Sequence, residues 1–332
     1  MRKTVDNRTD ITVIGAAVMD VLAGAVSPEV FETGSMPMDY IKCSFGGDAL
    51  NESVVLSRLG RKTELITKLG SDDAGKRTLD FIHENRVITK DAVITKEFPS
   101  SVNIVLVDKE GERFFLTDPG SCLRKLSEED IVPHIGEMAD LVSFASIFVS
   151  PLLGMNELER IFKKIKEPSG KGEGASSRRL LTDVTKPKNG ETLKDIKQIL
   201  PYIDYFLANE EEISMLTGTK DPVESADRFI EEGASCIVIK RGGNGCIIKT
   251  ESELHDIPAF PVKKVIDTTG AGDGFAAGFL YGLSEGFSIE DCGILGNALA
   301  SCIIEKVGGT DGIESLEEPM ERFKVLKERV SK

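Results

Sequence analysis

The chain has 332 residues, 41 lysines and arginines against 55 aspartates and glutamates, and a formal charge of −14. A chain of this length buries about 75% of the surface it exposes when unfolded, so one large core suffices without disulfide staples. The acidic balance excludes a partner held through a nucleic-acid backbone, because such affinity comes from lysines and arginines that neutralise phosphates. The six cysteines (Cys43, Cys122, Cys236, Cys246, Cys292 and Cys302) are scattered, with no CxxC pair and no histidine at ligand spacing, and they read as reduced thiols. The polar start MRKTVDNRTD and the short apolar run Ile11 to Ile14 predict neither a secretory leader nor a membrane span, and a cytoplasmic protein is expected.

Short β-rich apolar runs alternate with helix-period stretches: ITVIG (11–15), ELITKLG (64–70), DLVSFAS (140–146), LLTDV (180–184), YFLAN (205–209) and CIVIK (236–240). This rhythm predicts an α/β fold on a doubly wound, mostly parallel sheet. Runs such as CIVIK are apolar on both faces, which suits strands covered by helices on both sides. Two stretches break the rhythm. Residues 15–45 carry turn residues and short extended pieces, and SVNIVLVDKEGERFFLTD (101–118) reads as a hairpin turning at Asp108-Lys109-Glu110-Gly111. Together they are expected to form a small β lid, from about 16–45 and 99–120, on a single domain spanning 1–332. EPSGKGEGASSRR (167–179) reads as a mobile surface loop.

The densest chemical signal is Asp267-Thr268-Thr269-Gly270-Ala271-Gly272-Asp273, which runs into the small, apolar, helix-forming GFAAGFLYGL. A glycine-rich turn at a helix N-terminus presents unpaired N–H groups and the positive end of the helix dipole, and glycines let the main chain approach an anion closely. A phosphoryl group in transfer is such an anion. Asp273, in the first turn, is then set to accept a proton from an attacking hydroxyl. The plainer reading, a tight turn with a dipole partner, fits a lone GxG better than this seven-residue string. Gly70-Ser71-Asp72-Asp73-Ala74-Gly75-Lys76 imitates a P-loop, but Arg77 stands where a magnesium-binding Ser or Thr is required. It reads as a strand-to-helix turn. His83, His134 and His255 have no metal or triad partner at a useful spacing and are assigned to ordinary helix or loop positions.

The DTTGAGD string resembles the C-terminal signature of the PfkB, or ribokinase-like, family of carbohydrate kinases. Gly46-Gly47-Asp48-Ala49-Leu50-Asn51 resembles the family's N-terminal signature, and the motifs follow in family order over roughly residues 11–330. The resemblance implies a ribokinase-like fold, ATP and magnesium as cofactors, and catalysis by Asp273 with Gly270, Ala271 and Gly272. It implies that Asp20, Gly46, Gly47, Asp48, Asn51 and the lid residue Asn103 hold the sugar, and their carboxylates and amides suit hydroxyl groups. Read alone, Asp48 is an N-cap, Asn51 a solvated helix residue, Asp20 a turn residue and Asn103 the outward half of a strand. For the nucleotide the resemblance implies Asn209, Lys240, Gly242, Gly245 and Asn297, with Asn209 and Glu212 reaching magnesium through water. Asn209 and Glu212 also form a capping-box pattern, Lys240 is also a strand-end lysine, and Asn297 also fits an amphipathic helix. In many relatives potassium is held by main-chain oxygens near Asp267, Thr269 and Gly308, a property the resemblance extends to this chain.

The expected activity is transfer of the γ-phosphate of ATP to a sugar hydroxyl. GGDALN is similar to the form in 2-keto-3-deoxygluconate kinases and in uncharacterised sugar kinases, so the expected acceptor is a ketose or a sugar acid. Asp183-Val184-Thr185-Lys186-Pro187 keeps the aspartate of the family's DxNxR pattern but lacks its asparagine and arginine. Lys186 is left either to bind an anionic group or to face solvent. The alternatives are a nucleoside kinase of the same fold, which the low aromatic content disfavours, and a non-catalytic sugar-binding regulator, which would have no need of Asp273. No nucleic acid or membrane partner is expected, and an exposed lid edge offers a homodimer by strand pairing.

Overall fold

A computed structural model describes residues 8–110, 112–168 and 177–331. Gly111 of the hairpin turn and residues 169–176 of the predicted surface loop lie outside the described residues. In chain order, β1 (Ile11–Ile14), β2 (Val18–Gly24), the one-turn α1 (Val30–Thr33) and β3 (Tyr40–Gly46) lead to α2 (Asp48–Arg58). There follow β4 (Thr63–Ile66), β5 (Lys68–Gly70), α3 (Asp73–Glu84), β6 (Val93–Thr95), β7 (Val102–Val107), β8 (Arg113–Thr117) and α4 (Glu128–Ile131). The middle of the chain gives β9 (Leu141–Ile147), α5 (Met155–Lys166), β10 (Arg179–Val184), α6 (Leu193–Ile196), β11 (Tyr205–Asn209), α7 (Glu210–Thr217) and α8 (Pro222–Glu231). The last elements are β12 (Cys236–Lys240), β13 (Cys246–Thr250), β14 (Leu254–Ile257), α9 (Ala271–Ser284), α10 (Ile289–Ile303) and α11 (Glu317–Val330).

Eight strands form the main sheet in the order β14-β13-β12-β11-β10-β9-β1-β4. β4 through β12 in that order are parallel, and β13 and β14 close one edge antiparallel. This is the doubly wound sheet that the βα rhythm predicts. Alternate residues of each strand serve different cores: Val238 packs with α2, α9, α10 and α11, while Ile237 and Ile239 pack with α5, α7 and α8. ELITKLG is two strands rather than one. After β4 the Thr67 carbonyl accepts from Val93 N and Lys68 pairs with Asp130, so β5 leaves the main sheet and pairs with β6.

β3, β2, β7 and β8, in that order, form a second sheet. Its register sets Asp20 opposite Ser44 and Asn103, and Leu22 opposite Lys42 and Val105, all on one face. The other face carries Ile41, Ile104, Phe114 and Leu116, which are exposed. Among the described residues no helix is long and apolar enough to cross a membrane.

The helix with the richest supply of glycine, α9, packs closely on α10. A β-carbon on Gly278 would lie 2.9 Å from the Leu295 carbonyl oxygen and 3.0 Å from Gly296 Cα, so the small residue sets the separation of the two helices. Gly278→Val is expected to lower stability by roughly 1–3 kcal/mol through overpacking, read as a lower urea midpoint at unchanged slope.

Candidate active site

Two helix N-termini converge on one side of the main sheet. The N-caps of α2 and α9 are Gly47 and Gly270, with φ of 99° and 74°, values that side chains rarely adopt. Each also has backbone pressed against it: a β-carbon on Gly47 would meet the Ala16 carbonyl, and one on Gly270 would meet Gly309. From α2, Asn51 donates Nδ2 to Oδ2 of Asp273 in the first turn of α9, at 2.7 Å. Asn51 is buried, and its Oδ1 has no partner among the described residues.

More carboxyl groups gather around this pair than cations. Asp48 accepts from Ser146 of β9. Asp183 of β10 accepts from the Val184 amide at 2.8 Å and pairs with Lys240, which ends β12. Glu52, beside Asn51, accepts from Ser143 Oγ at 2.7 Å and buries its other oxygen without a partner among the described residues. Burial, reinforced by the Asp48 charge and opposed by Asn51 and Lys240, pushes Asp273 up to about 8. Burial likewise raises Glu52 well above the carboxylate range despite Ser143, and raises Asp183 despite Lys240. One lysine does not compensate so many buried carboxyl groups, and each of the three binds its proton more tightly than a carboxyl in water.

A cleft of about 420 Å³ opens between Asp273 and the second sheet, the one expected to act as a lid. Asp20, Gly46, Gly47, Asp48, Asn51, Asn103, Thr269, Gly270, Asp273 and Gly308 all line it. Across the β2–β7 register Asn103 Nδ2 donates to Asp20 Oδ1 at 2.9 Å; burial raises the Asp20 carboxyl in spite of this bond. Lys42, Arg124 and Lys188 line the cleft as well, and none has a carboxylate partner among the described residues. Lys186 instead pairs with Glu211 on the exposed surface at 2.7 Å. Phe45 and Phe115 are the aromatic residues of the lining.

The remaining expected residues lie outside this cleft. Asn209 Oδ1 accepts from the Glu212 amide at 2.9 Å and Glu212 Oε2 from the Asn209 amide at 2.8 Å, a complete capping box. Burial pushes Glu212 up to about 7, against the Lys240 charge. Lys240 Nζ lies 3.4 Å from where a Gly272 β-carbon would stand, which brings the lysine to the glycine turn of α9. Gly242 and Gly245 both have positive φ, and Gly245 leaves no room for a side chain against Ile257 and Pro258. Asn297 faces inward: its Nδ2 donates to the carbonyls of Ile257 and Pro258 at 3.3 and 3.2 Å. The P-loop imitation is closed, since Asp72 accepts from the amides of Gly75 and Ser100, each at 2.8 Å.

Three residues of the site carry weaker sequence signals. Arg113 shares the inner face of β8 with Phe115, as period-two alternation implies, and reaches Thr269 and Asp267. Asp183 stands near the carboxyl end of a parallel strand, where sites in open α/β sheets form. Glu52 is a charge inside the wholly buried run Ala49 to Leu56 of α2. Among the described residues no group of three or more His, Cys, Asp or Glu is arranged to hold a metal ion.

Residues 8–316 match the model of the pfkB family carbohydrate kinases. The chain is 37% identical over 261 residues to an uncharacterized sugar kinase of Archaeoglobus fulgidus, covering 78% of this chain and 97% of the relative. It is 25% identical over 293 residues to the 2-dehydro-3-deoxygluconokinase of Haemophilus influenzae, covering 84% and 92%. The structure of Arabidopsis thaliana ribokinase complexed with ribose and ATP shares the fold, with a TM-score of 0.80 at 20% identity over 96% of this chain and 99% of that one. A family match over nearly the whole chain, together with the Archaeoglobus relative, establishes that the chain belongs to the pfkB family of carbohydrate kinases.

Proposed function

We propose that this chain transfers the γ-phosphate of ATP to a hydroxyl group of a ketose or sugar acid, with Asp273 receiving the hydroxyl proton. The observation that carries the reading is the Asn51–Asp273 pair at two glycine-capped helix N-termini, facing Asp20 and Asn103 across one cleft. When bound, ATP supplies the phosphoryl group and magnesium offsets its charge. The donor set fits both. Gly272 leaves bare main chain beside Lys240, and Asn209 and Glu212 suit an outer-shell role toward magnesium, which keeps most of its waters.

Asp20, Asp48, Asn51 and Asn103 orient the acceptor, and much of the rate comes from that positioning. The amides of Gly270, Ala271 and Gly272 receive the negative charge that develops on the transferring group. To receive the hydroxyl proton Asp273 must first be ionised; burial holds its proton up to about 8, against the Asn51 amide and the Lys240 charge, so turnover should rise with pH toward that value. A lid over the acceptor keeps water from competing with the sugar. Lys42, Arg124 and Lys188 on the cleft wall, with no carboxylate partner among the described residues, favour a sugar acid over a neutral ketose. Two aromatic rings give a nucleoside base little to stack on. The apolar outer face of the lid, with Ile41, Ile104, Phe114 and Leu116 exposed, supports a homodimer through the lid.

With magnesium and ATP, consumption across a panel of ketoses, aldoses, sugar acids and nucleosides is expected to single out one sugar class, and Asp273→Asn to lose at least about a hundredfold in kcat. Sugar binding without turnover of any panel member would point to a regulator instead. A second outcome follows from protonation. The folded protein holds the Asp273 proton up to about 8, whereas the ordinary value is 3.8. Stability from the protonated side chain is therefore complete below the unfolded value and lost as pH rises through the folded one. The melting temperature of Asp273→Asn should gain on wild type between about pH 4 and about pH 8 and hold a constant lead above that; a lead that does not change with pH would contradict the raised value. In solution, mass measured across a concentration series should reveal a dimer that Leu116→Lys weakens.

A further inference from the structure

The potassium expected near Asp267, Thr269 and Gly308 meets a charge already in place. Arg113, the first residue of β8 in the lid sheet, pairs through Nη2 with Asp267 Oδ2 and donates Nη1 to Thr269 Oγ1 at 2.6 Å. The same Asp267 carboxylate accepts from the Gly308 amide at 2.9 Å and the Thr269 amide at 3.0 Å. These bonds and the Arg113 charge outweigh burial and hold Asp267 below the usual carboxylate range. On the inner side of the loop the Ile304 carbonyl already accepts from the amides of Ile266 and Asp267.

We propose that the Arg113 guanidinium takes the place of an alkali cation at the loop preceding α9, so that this chain's phosphoryl-transfer site needs no potassium. The argument is one of charge. The Asp267 side chain is 8% exposed and that of Arg113 21%, so the pair is largely out of water, where a second cation set against the guanidinium is repelled far more strongly than in bulk solvent. One carboxylate is matched by one permanently charged group, for arginine does not release its proton. Asp311 approaches Gly308 but is exposed to solvent, and it offers a screened charge rather than a second buried ligand. The planar fork also does what a spherical ion does not: it binds two side chains, two residues apart, in fixed directions. The guanidinium belongs to the lid, so the loop that carries Gly270 and Gly272 is braced by the sheet that covers the acceptor.

The functional consequence rests on the kinase reading, but the ion-binding test does not. The melting temperature of the full chain is measured in potassium chloride and in tetramethylammonium chloride at equal concentrations of about 100 mM, where a site filled by potassium would stabilise the fold through linkage. Turnover is followed in the same two salts. Wild type should melt at one temperature in both and change rate by less than about twofold, since its cation is covalently attached. Arg113→Met should acquire a potassium-specific rise in melting temperature, and potassium should restore part of its lost rate. Arg113→Lys, which keeps the charge, should show no potassium-specific response. Potassium-specific stabilisation or activation of wild type would overturn the proposal, and so would an Arg113→Met protein indifferent to potassium. Absence of kinase activity would refute the proposed function and leave the melting experiment intact.

Discussion

The hydrogen bond from Asn51 to Asp273 spans 222 residues of sequence, and the rest of the site is arranged by what it takes to make it. Two helices must begin within a side chain's reach of each other, their N-terminal dipoles both directed at one region. Neighbouring like ends of helices repel, and acidic residues in the two first turns, Asp48 and Asp273, are the residue type that such ends favour. The same crowding of acids is unfavourable once buried, which is why Asp273, Glu52 and Asp183 all bind protons more tightly than usual. Only glycine permits the approach. Gly47 lies against Ala16 and Gly270 against Gly309, and a β-carbon at either position would displace its helix start from the backbone it rests on.

The main sheet supplies the rigid frame for this arrangement. The carboxyl ends of parallel strands lie on one side, so Ser146, Asp183 and Lys240, from β9, β10 and β12, arrive at the same end of the sheet although about a hundred residues separate the first from the last. The lid sheet solves a different problem with period-two alternation. Its inner face gives polar side chains to the cleft, and its outer face carries apolar groups that nothing among the described residues covers.

Legibility in the sequence follows the range of the interactions. The βα rhythm was visible because strands covered on both faces are short continuous apolar runs, as CIVIK is. The Asn209–Glu212 capping box is visible because both partners lie within one turn. Pairings across the sheet leave no local trace. Lys240 ends its strand like any solvated lysine, and only the placement of β10 two strands away gives it Asp183. Lys186 and Lys188 look equivalent in sequence, yet one pairs with Glu211 and the other lines the cleft. ELITKLG has no Gly or Pro at the point where it bends from β4 into β5, because the bend is imposed by Val93 and Asp130 from elsewhere. Asn297 was legible as part of a small-residue helix, but not that its amide would turn inward to the Ile257 and Pro258 carbonyls.

The cysteines divide along the same line between core and lid. Burial pushes the Cys122 thiol up to about 11 and those of Cys236, Cys246, Cys292 and Cys302 up to about 12, so these five stay uncharged and sheltered from alkylating reagents. Cys43 alone is exposed. It lies on the outer face of the lid, paired in register with Val21. The chain therefore carries one natural attachment point for a fluorophore or spin label, on the sheet that walls the cleft, and no other thiol needs to be engineered away to use it.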